Sequence, residues 1–170
     1  TAVIAPVPPT KTGYTFTGWL PAVPATMPAT ATTCIAQWEI IHYTIIFDTD
    51  GGTGGTTTSV AHGSTPTPPA VAKAGYTFTG WDQTITAATA NKTYTAQWLI
   101  NQYIITFDSA GGSDVPAITQ DYGTTVITPA APDRIGYTFI GWLPAVPAAM
   151  PAGDMTCVAQ WAINQSTIDF

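Results

Sequence analysis

Gly136-Tyr137-Thr138-Phe139-Ile140-Gly141-Trp142 sets the organisation of this chain, because the same pattern occurs three times. The other copies of the motif span residues 13–19 and 75–81, so the period is 62 residues and then 61. Self-similarity at a fixed period indicates one small folding unit repeated along the chain. The sequence therefore predicts a tandem array of units of about 60 residues.

Two further markers keep the same period. Ala-Gln-Trp ends at Trp38, Trp98 and Trp161, and an alternating apolar segment ending in Phe-Asp occurs at residues 43–48 and 103–108. These markers predict an incomplete unit without its opening two strands, two complete units, and the opening strand of a further unit. The predicted boundaries are 1–38, 43–98, 103–161 and 163–170.

Composition predicts a mainly β fold. Only 8% of the residues are charged, so the Lys and Glu that favour helices are scarce, while Thr, Val, Ile, Tyr and Trp favour strands. Gly18, one residue before Trp19, predicts either a β-bulge or a close approach of the backbone that redirects the indole. Residues 20–29 and 143–152 each contain three prolines, which exclude a helix and predict extended, polyproline-like connections.

The charge balance argues against nucleic acid as a partner, and the distribution of apolar residues argues against insertion into a membrane. The formal net charge is −6, and nucleic-acid binding requires a cluster of basic residues that this sequence lacks. No apolar run approaches the roughly 20 residues of a membrane-spanning helix. We therefore expect neither nucleic-acid binding nor membrane insertion. The absence of a signal peptide and of an initiating Met is expected of a mature product or a piece of a longer chain. The four basic residues are scattered: Lys11, Lys73, Lys92 and Arg134.

The two cysteines occupy equivalent places in the first and third units, where the second unit has Tyr94. Cys34 alternates with Ala36 and Trp38 along one predicted strand face, which is typical of a buried packing thiol. A disulfide between Cys34 and Cys157 would have to cross a whole intervening unit, which the distance limits of a disulfide oppose. A bridge between chains is left open.

Residues 48–52 and 108–112 carry the strongest candidate metal motif. Asp-Thr-Asp-Gly resembles the start of a calcium loop, but no Glu follows at the twelfth position and Ala110 replaces Asp50 in the next unit. A Gly-rich hairpin turn explains both copies better. His42 and His62 do not recur in the third unit, and no nucleophile motif accompanies them. The sequence thus predicts no catalytic, metal-binding or cofactor-binding residues and no cofactor.

The recurring aromatic residues permit two interpretations. Tryptophan and tyrosine stack on sugars, so a carbohydrate-binding module that uses Trp81 is one hypothesis. Most of the aromatic residues recur at a fixed phase between small residues, however, which is typical of a core. Asn91 and Asn164 each begin a glycosylation sequon, a short motif with many false matches.

The order Phe-Asp-x-x-Gly-Gly, a His-Gly or Tyr-Gly turn, a Pro-rich segment, Gly-Tyr-Thr-Phe-x-Gly-Trp and Ala-Gln-Trp resembles the Listeria–Bacteroides repeat, the internalin-type B repeat of bacterial surface proteins. The resemblance covers residues 43–98 and 103–161 and the latter part of a unit in 1–38. It implies a small β-grasp-like fold, extracellular location at the cell surface or as a secreted protein, and a role as spacer or adhesion module. It implies no catalytic or metal-binding residues. The low charge and the Pro-Ala-Val-Pro insert depart from the family pattern and place any helix in doubt.

The leading hypothesis is a non-enzymatic, rod-like spacer or adhesin segment, because linkers of about four residues restrict neighbouring units to a few angles. Its partners would be neighbouring repeats or copies of itself, and possible host or matrix proteins or glycans. The alternative is a fibre subunit that donates a β-strand head to tail between chain ends. The candidate assembly strand is Ser166, Thr167, Ile168, Asp169 and Phe170.

Overall fold

The computed structural model describes residues 1–165, and this part of the chain is built from ten β-strands without a helix. In chain order the strands are β1 (Tyr14–Leu20), β2 (Ile35–Ile40), β3 (His42–Asp48), β4 (Thr56–Ala61), β5 (Tyr76–Trp81), β6 (Lys92–Ile100), β7 (Gln102–Asp108), β8 (Ile118–Asp121), β9 (Tyr137–Leu143) and β10 (Met155–Ile163).

Across residues 1–165 the strands form three sheets. One sheet contains only β1 and β2, and the two others have four strands each, in the orders β4-β3-β6-β5 and β8-β7-β10-β9. Below, the first copy is the one with β1–β2, the second has β3–β6 and the third has β7–β10. The predictions of a mainly β fold and of repeated small units are confirmed, whereas the β-grasp-like arrangement stays a prediction.

The chain also divides into two compact units by its internal contacts. The first unit combines Thr1–Val71 with Gly80–Gln97. The second combines Ala72–Thr79 with Trp98–Phe170, of which residues up to 165 are described. The predicted unit boundaries remain predictions from the sequence period.

The four-stranded sheet of the third copy shows how a copy is assembled. Strand β7 lies between β8, which is antiparallel to it, and β10, which is parallel to it. On its other side β10 pairs antiparallel with β9. The side chain of Asp154 strengthens the parallel pair, because its Oδ1 accepts a hydrogen bond of 2.9 Å from the Ile104 backbone N–H. The first and last strands of the copy are therefore its two central strands.

Alternate residues of the central strands form the core of the third copy. Ile105 and Cys157 are both 0% exposed, and Phe107 is 7% exposed. Val126 and Met150, which come from the loops between strands, complete this buried cluster. The core of the third copy is therefore built from side chains of the strands and of the extended connections between them. The second copy has an equivalent cluster, made of Ile45, Phe47, Ala88 and Tyr94.

The predicted β-bulge is confirmed. The register of β1 against β2 shifts between Phe16 and Gly18, and Gly18 has a φ of 141°. An extra residue of this kind bends the strand and redirects the neighbouring side chains. As a result, Phe16 contacts both Trp19 and Trp38 edge-on, with ring centroids 5.4 and 5.7 Å apart.

The Gly-rich segments are hairpin turns, as the sequence predicts. Asp48 Oδ1 accepts a 2.9 Å hydrogen bond from the Asp50 N–H, and Asp50 has a φ of 49°. In the third copy Asp108 Oδ1 accepts the same 2.9 Å bond from the Ala110 N–H, and Ala110 also has a φ of 49°. Because alanine adopts the same geometry, the turn does not need a second carboxylate.

Asp82 shows that the second copy uses a carboxylate to hold its loop onto β6. Asp82 Oδ1 accepts a 2.9 Å hydrogen bond from the Thr95 N–H, and this bond lowers the pKa of Asp82 below its ordinary value. Since the folded-state pKa lies below the unfolded one, the stabilisation is present above the unfolded pKa and is lost as the pH falls through the folded pKa. We expect the Asp82 carboxyl to titrate at a lower pH than an unstructured Asp in an NMR titration. A midpoint equal to that of a peptide reference would contradict this.

Candidate functional site: the joints between copies

The first joint connects the end of β2 to the second copy through a single residue. The backbone N–H of Ile41 donates to the Gly13 carbonyl at 2.9 Å, and the Ile41 carbonyl accepts from the His62 N–H at 2.7 Å. Both polar backbone groups of the linking residue are therefore satisfied, one by each copy. All three residues lie in the first compact unit.

The second joint repeats this pattern with different residues. The Asn101 N–H donates to the Gly75 carbonyl at 2.9 Å, and the Asn101 carbonyl accepts from the Tyr122 N–H at 2.9 Å. These three residues all lie in the second compact unit. We use the term joint for each such set: Gly13, Ile41 and His62, and Gly75, Asn101 and Tyr122.

An aromatic ring lies directly on the glycine in both joints. A Cβ atom added to Gly13 would lie 2.0 Å from the His62 ring, and one added to Gly75 would lie 2.1 Å from the Tyr122 ring. Both glycines also have a φ near +78°, a conformation that L side chains rarely adopt (78° and 77°). Backbone conformation and ring packing thus both require glycine at these positions.

The second joint has additional polar contacts that the first lacks at the same position. Asn101 Oδ1 accepts a 2.6 Å hydrogen bond from Thr77 Oγ1, and Asn101 Nδ2 donates to the Tyr103 hydroxyl at 3.3 Å. The Tyr122 ring meets Tyr76 edge-on with centroids 6.0 Å apart. Ile41 has no side-chain polar group, so the two joints share their backbone pattern and differ in the number of side-chain bonds.

The third copy repeats half of a joint. The Asn164 N–H donates to the Gly136 carbonyl at 2.9 Å, and Asn164 Oδ1 accepts a 2.6 Å hydrogen bond from Thr138 Oγ1. A Cβ added to Gly136, however, would have no described atom within 4 Å. Among residues 1–165, the glycine and the linking residue are thus in place and no ring lies against the glycine.

Sequence reasoning identified His62 only as a solvated or packed residue, and the structure shows that it is packed. The sequence does contain a pattern that marks the joints. A residue with an aromatic ring, His62 or Tyr122, stands directly before a glycine at the same place in both complete copies. His42 plays no equivalent part, since its Nδ1 lies 3.2 Å from the Ile40 carbonyl at an exposed position.

All four basic side chains of the sequence lie over aromatic rings. Lys11 Nζ is 3.8 Å from the Tyr14 ring centroid, and the Arg134 guanidinium carbon is 3.9 Å from that of Tyr137. Lys73 lies over Tyr76 and Lys92 over Tyr94 at 4.8 and 4.9 Å. A cation over an aromatic face contributes about 0.5–1 kcal/mol at exposed sites. The positive charge is thus spread over the copies, and each one covers an aromatic face.

The other candidate residues of the sequence are placed as follows. Trp81 is half-buried and contacts Phe47 with centroids 4.9 Å apart, so it takes part in the core of the second copy. The candidate assembly strand, residues 166–170, lies outside the described residues.

Within residues 1–165, no group of three His, Cys, Asp or Glu side chains is arranged to hold a metal ion. Nor does this part of the chain contain a helix of the length and hydrophobicity needed to cross a membrane.

The two cysteines differ in exposure, although the sequence predicts that both are buried. Cys157 is completely buried, as predicted, and this burial raises the pKa of its thiol. Cys34 is only half-buried, because within residues 1–165 no strand pairs with the first copy in the way that β7 pairs with β10 and covers Cys157. Both thiols are free in this structure.

We expect iodoacetamide to alkylate Cys34 at least about tenfold faster than Cys157 in the folded chain, because the reactive thiolate forms less readily at a buried site. Mass spectrometry of the two cysteine-containing peptides over time measures both rates in one sample. Denatured chain is the control, in which the two rates should become similar. Equal rates in the folded chain would contradict the difference in burial.

Comparison with known proteins assigns the repeat. The family model of the Listeria–Bacteroides repeat domain matches residues 1–35, 43–101 and 103–146. A putative membrane protein of Evansella cellulosilytica is 32% identical over 97% of this chain and 29% of its own length. Internalin H of Listeria monocytogenes is 34% identical over 90% of this chain and 31% of its own length. The chain thus spans about a third or less of these relatives.

Among solved structures, domains 3–4 of a streptococcal cell surface protein with high-identity tandem repeats match at 18% identity. The match covers 72% of this chain and 98% of that one, with a TM-score of 0.28. The family model, by contrast, covers most of the sequence and follows its period. The chain therefore belongs to the Listeria–Bacteroides repeat family of bacterial surface proteins.

Proposed function

We propose that this chain is a non-enzymatic, extracellular segment of a bacterial surface protein, where it serves as a spacer and contributes adhesive surface. The observation that carries the proposal is the repeated joint. In both joints one linking residue is hydrogen-bonded through its N–H and its carbonyl, and a ring packs on a glycine. A linker with these contacts loses conformational freedom, which is what a spacer requires.

The family and the relatives support this role. The chain matches less than a third of the Evansella protein and of Internalin H, as expected of a segment that accompanies other domains. The relative from Evansella is described as a membrane protein, which is compatible with attachment at the cell surface. The partners we propose are neighbouring repeats within the parent protein and a host or matrix ligand.

Small-angle X-ray scattering tests the spacer role. A compact domain of 170 residues has a radius of gyration of about 16 Å. We expect a clearly larger value that does not change with ionic strength, because the joint contacts are backbone hydrogen bonds and ring packing rather than surface ion pairs. A radius of gyration at the compact value would contradict a spacer.

The adhesive contribution needs a separate measurement. Immobilised chain should retain matrix proteins or glycans in a surface-binding assay. Because Trp81 packs against the core of the second copy, loss of binding in Trp81→Ala supports the aromatic-face hypothesis only if circular dichroism shows that the variant is folded like the wild type. A ligand that binds one isolated pocket, together with a compact scattering profile, would favour a binding module over a spacer.

A further inference from the structure

Each four-stranded sheet of this chain has two edge strands, whose outer backbone groups can pair with a further strand. The edges of the second copy are β4 and β5, and those of the third copy are β8 and β9. Natural proteins protect such edges with bulges, prolines, charges or short strands, because an unprotected edge can pair with another chain. These four edges differ in whether they carry such protection.

Three of the four edge strands are protected. Strands β5 and β9 each contain the glycine of the bulge motif, with a φ of 138° at Gly80 and 139° at Gly141, and the register of β9 against β10 shifts at this point. Strand β8 has only four residues, ends in Asp121, and begins two residues after Pro116. Bulges, charges, prolines and short length each oppose the addition of another strand.

The six residues of β4 have none of these protections. Their sequence is Thr-Thr-Thr-Ser-Val-Ala, without a charge or a proline, and the register against β3 continues without a shift through all six pairs. The first four of these residues are exposed, and within residues 1–165 β4 pairs with β3 alone. A regular, uncharged and exposed edge of this kind is a site for the addition of a strand.

The backbone groups that β4 offers to a partner belong to Thr57 and Ser59. The His62 N–H donates to the Ile41 carbonyl at 2.7 Å, directly beyond the last pair of the ladder. Hydrogen-bonded and non-hydrogen-bonded pairs alternate along an antiparallel ladder. Counting back from His62, every second residue bonds to β3. Thr57 and Ser59 lie between those residues, so their N–H and carbonyl groups point away from β3.

The β4 strand of a second copy of this chain fits this edge. Two β4 strands that pair antiparallel about a two-fold axis at Thr58 place Thr57 of each strand opposite Ser59 of the other, so that the outward backbone groups bond to one another. Threonine opposite serine is a favourable cross-strand pair. The formal net charge of −6 makes two copies repel each other, whereas these two strands bring no charge against another.

We propose that two copies of this chain pair reversibly through their β4 strands, antiparallel and in the register that places Thr58 opposite itself. The pairing joins two four-stranded sheets into one sheet of eight strands, which is within the normal size range. A contact between strand edges covers a small area, so the dimer is transient. The inference concerns a contact between copies, does not rest on the spacer proposal and does not involve residues 166–170.

Sedimentation equilibrium of the whole chain over a concentration series tests whether the dimer forms. We expect the weight-average mass to rise from that of one chain towards that of two, because a two-fold contact is closed. In the same samples the amide hydrogens of Thr57 and Ser59 should exchange more slowly, in proportion to the remaining fraction of monomer. The amide of Thr119, which stands in β8 where Ser59 stands in β4, is the control and should keep its exchange rate.

An exchange of charges at Thr58 tests the register. In the proposed dimer Thr58 faces its own copy in a non-hydrogen-bonded pair, where side chains come closest. Thr58→Lys and Thr58→Asp should each abolish the dimer, because like charges then lie directly opposite each other. An equal mixture of the two variants should dimerise again, since the facing charges are then opposite. Thr119→Lys, at an exposed place on β8, is the matched control and should dimerise like the wild type.

Three results would each overturn the proposal. The first is the mass of a single chain at every concentration. The second is association of Thr58→Lys equal to that of the wild type, or failure of the mixed variants to dimerise, because the contact would then lie elsewhere or in another register. The third needs no variant: if the amides of Thr57 and Ser59 exchange at the same rate in the monomer and in the dimer of the wild-type chain, β4 is not the contact.

Discussion

Replacing Gly75 by alanine should weaken the second joint by about 1–3 kcal/mol more than the same replacement at Gly136. This difference is the typical cost of inserting an extra methyl group into a packed site. Both glycines have a φ near +80° (77° and 80°), so both variants carry the same backbone strain. Only at Gly75 does the new methyl group meet a ring, that of Tyr122 at 2.1 Å. The Tyr122 ring must therefore shift away from residue 75.

Native-state hydrogen exchange measures this effect locally. The Tyr122 N–H donates to the Asn101 carbonyl across the joint, so its exchange rate reports opening of the joint. Each 1.4 kcal/mol of weakening should accelerate that exchange about tenfold in Gly75→Ala. In Gly136→Ala the Tyr122 rate should stay at the wild-type value. Equal rates in the two variants would show that ring packing on Gly75 does not hold the joint.

Replacing Met150 by alanine should destabilise the third copy by about 2–5 kcal/mol, whereas Met27→Ala should change stability by less than about 0.5 kcal/mol. The two residues occupy the same place in the repeat, but Met150 is 1% exposed and Met27 is 69% exposed. A cavity next to Ile105 and Cys157 leaves neighbouring atoms without contacts. Loss of an exposed side chain creates no such cavity.

Alkylation of Cys157 during a urea titration follows unfolding of the third copy alone, which avoids assuming that the whole chain unfolds in one step. Met150→Ala should shift the onset of Cys157 labelling to lower urea, and Met27→Ala should leave it unchanged. A shift of equal size in both variants would contradict the assignment of Met150 to the core and of Met27 to an exposed position.

Local features of the fold could be predicted from the sequence because each depends on few neighbouring residues. Alternation along residues 103–108 predicts a strand, and Gly18 predicts a bulge, and the structure shows both. The hairpin turns also follow from local chemistry, since Asp48 bonds to the backbone two residues later. These patterns need no knowledge of distant parts of the chain.

The joints could not be predicted in the same way, because their contacts connect residues far apart in sequence. His62 packs on Gly13, 49 positions earlier, and Tyr122 packs on Gly75. The positive φ of the glycine before each Tyr-Thr-Phe motif is enough to explain why glycine occurs there. The sequence therefore gives no reason to expect that a ring also packs on Gly13 and Gly75. Cys34 illustrates the same limit, since its burial depends on whether a strand covers it and not on its own alternation pattern.

The parallel pairing of β7 with β10 determines how the third copy responds to a stretching force. The chain enters this copy at the start of β7 and leaves it at the end of β10, and these two strands are direct neighbours. Tension on the two ends therefore pulls adjacent parallel strands past each other. The hydrogen bonds between residues 105–108 and 155–158, with the Asp154 bond beside them, are then loaded together rather than broken in turn. Under tension, the third copy would therefore depend on these few bonds to stay folded.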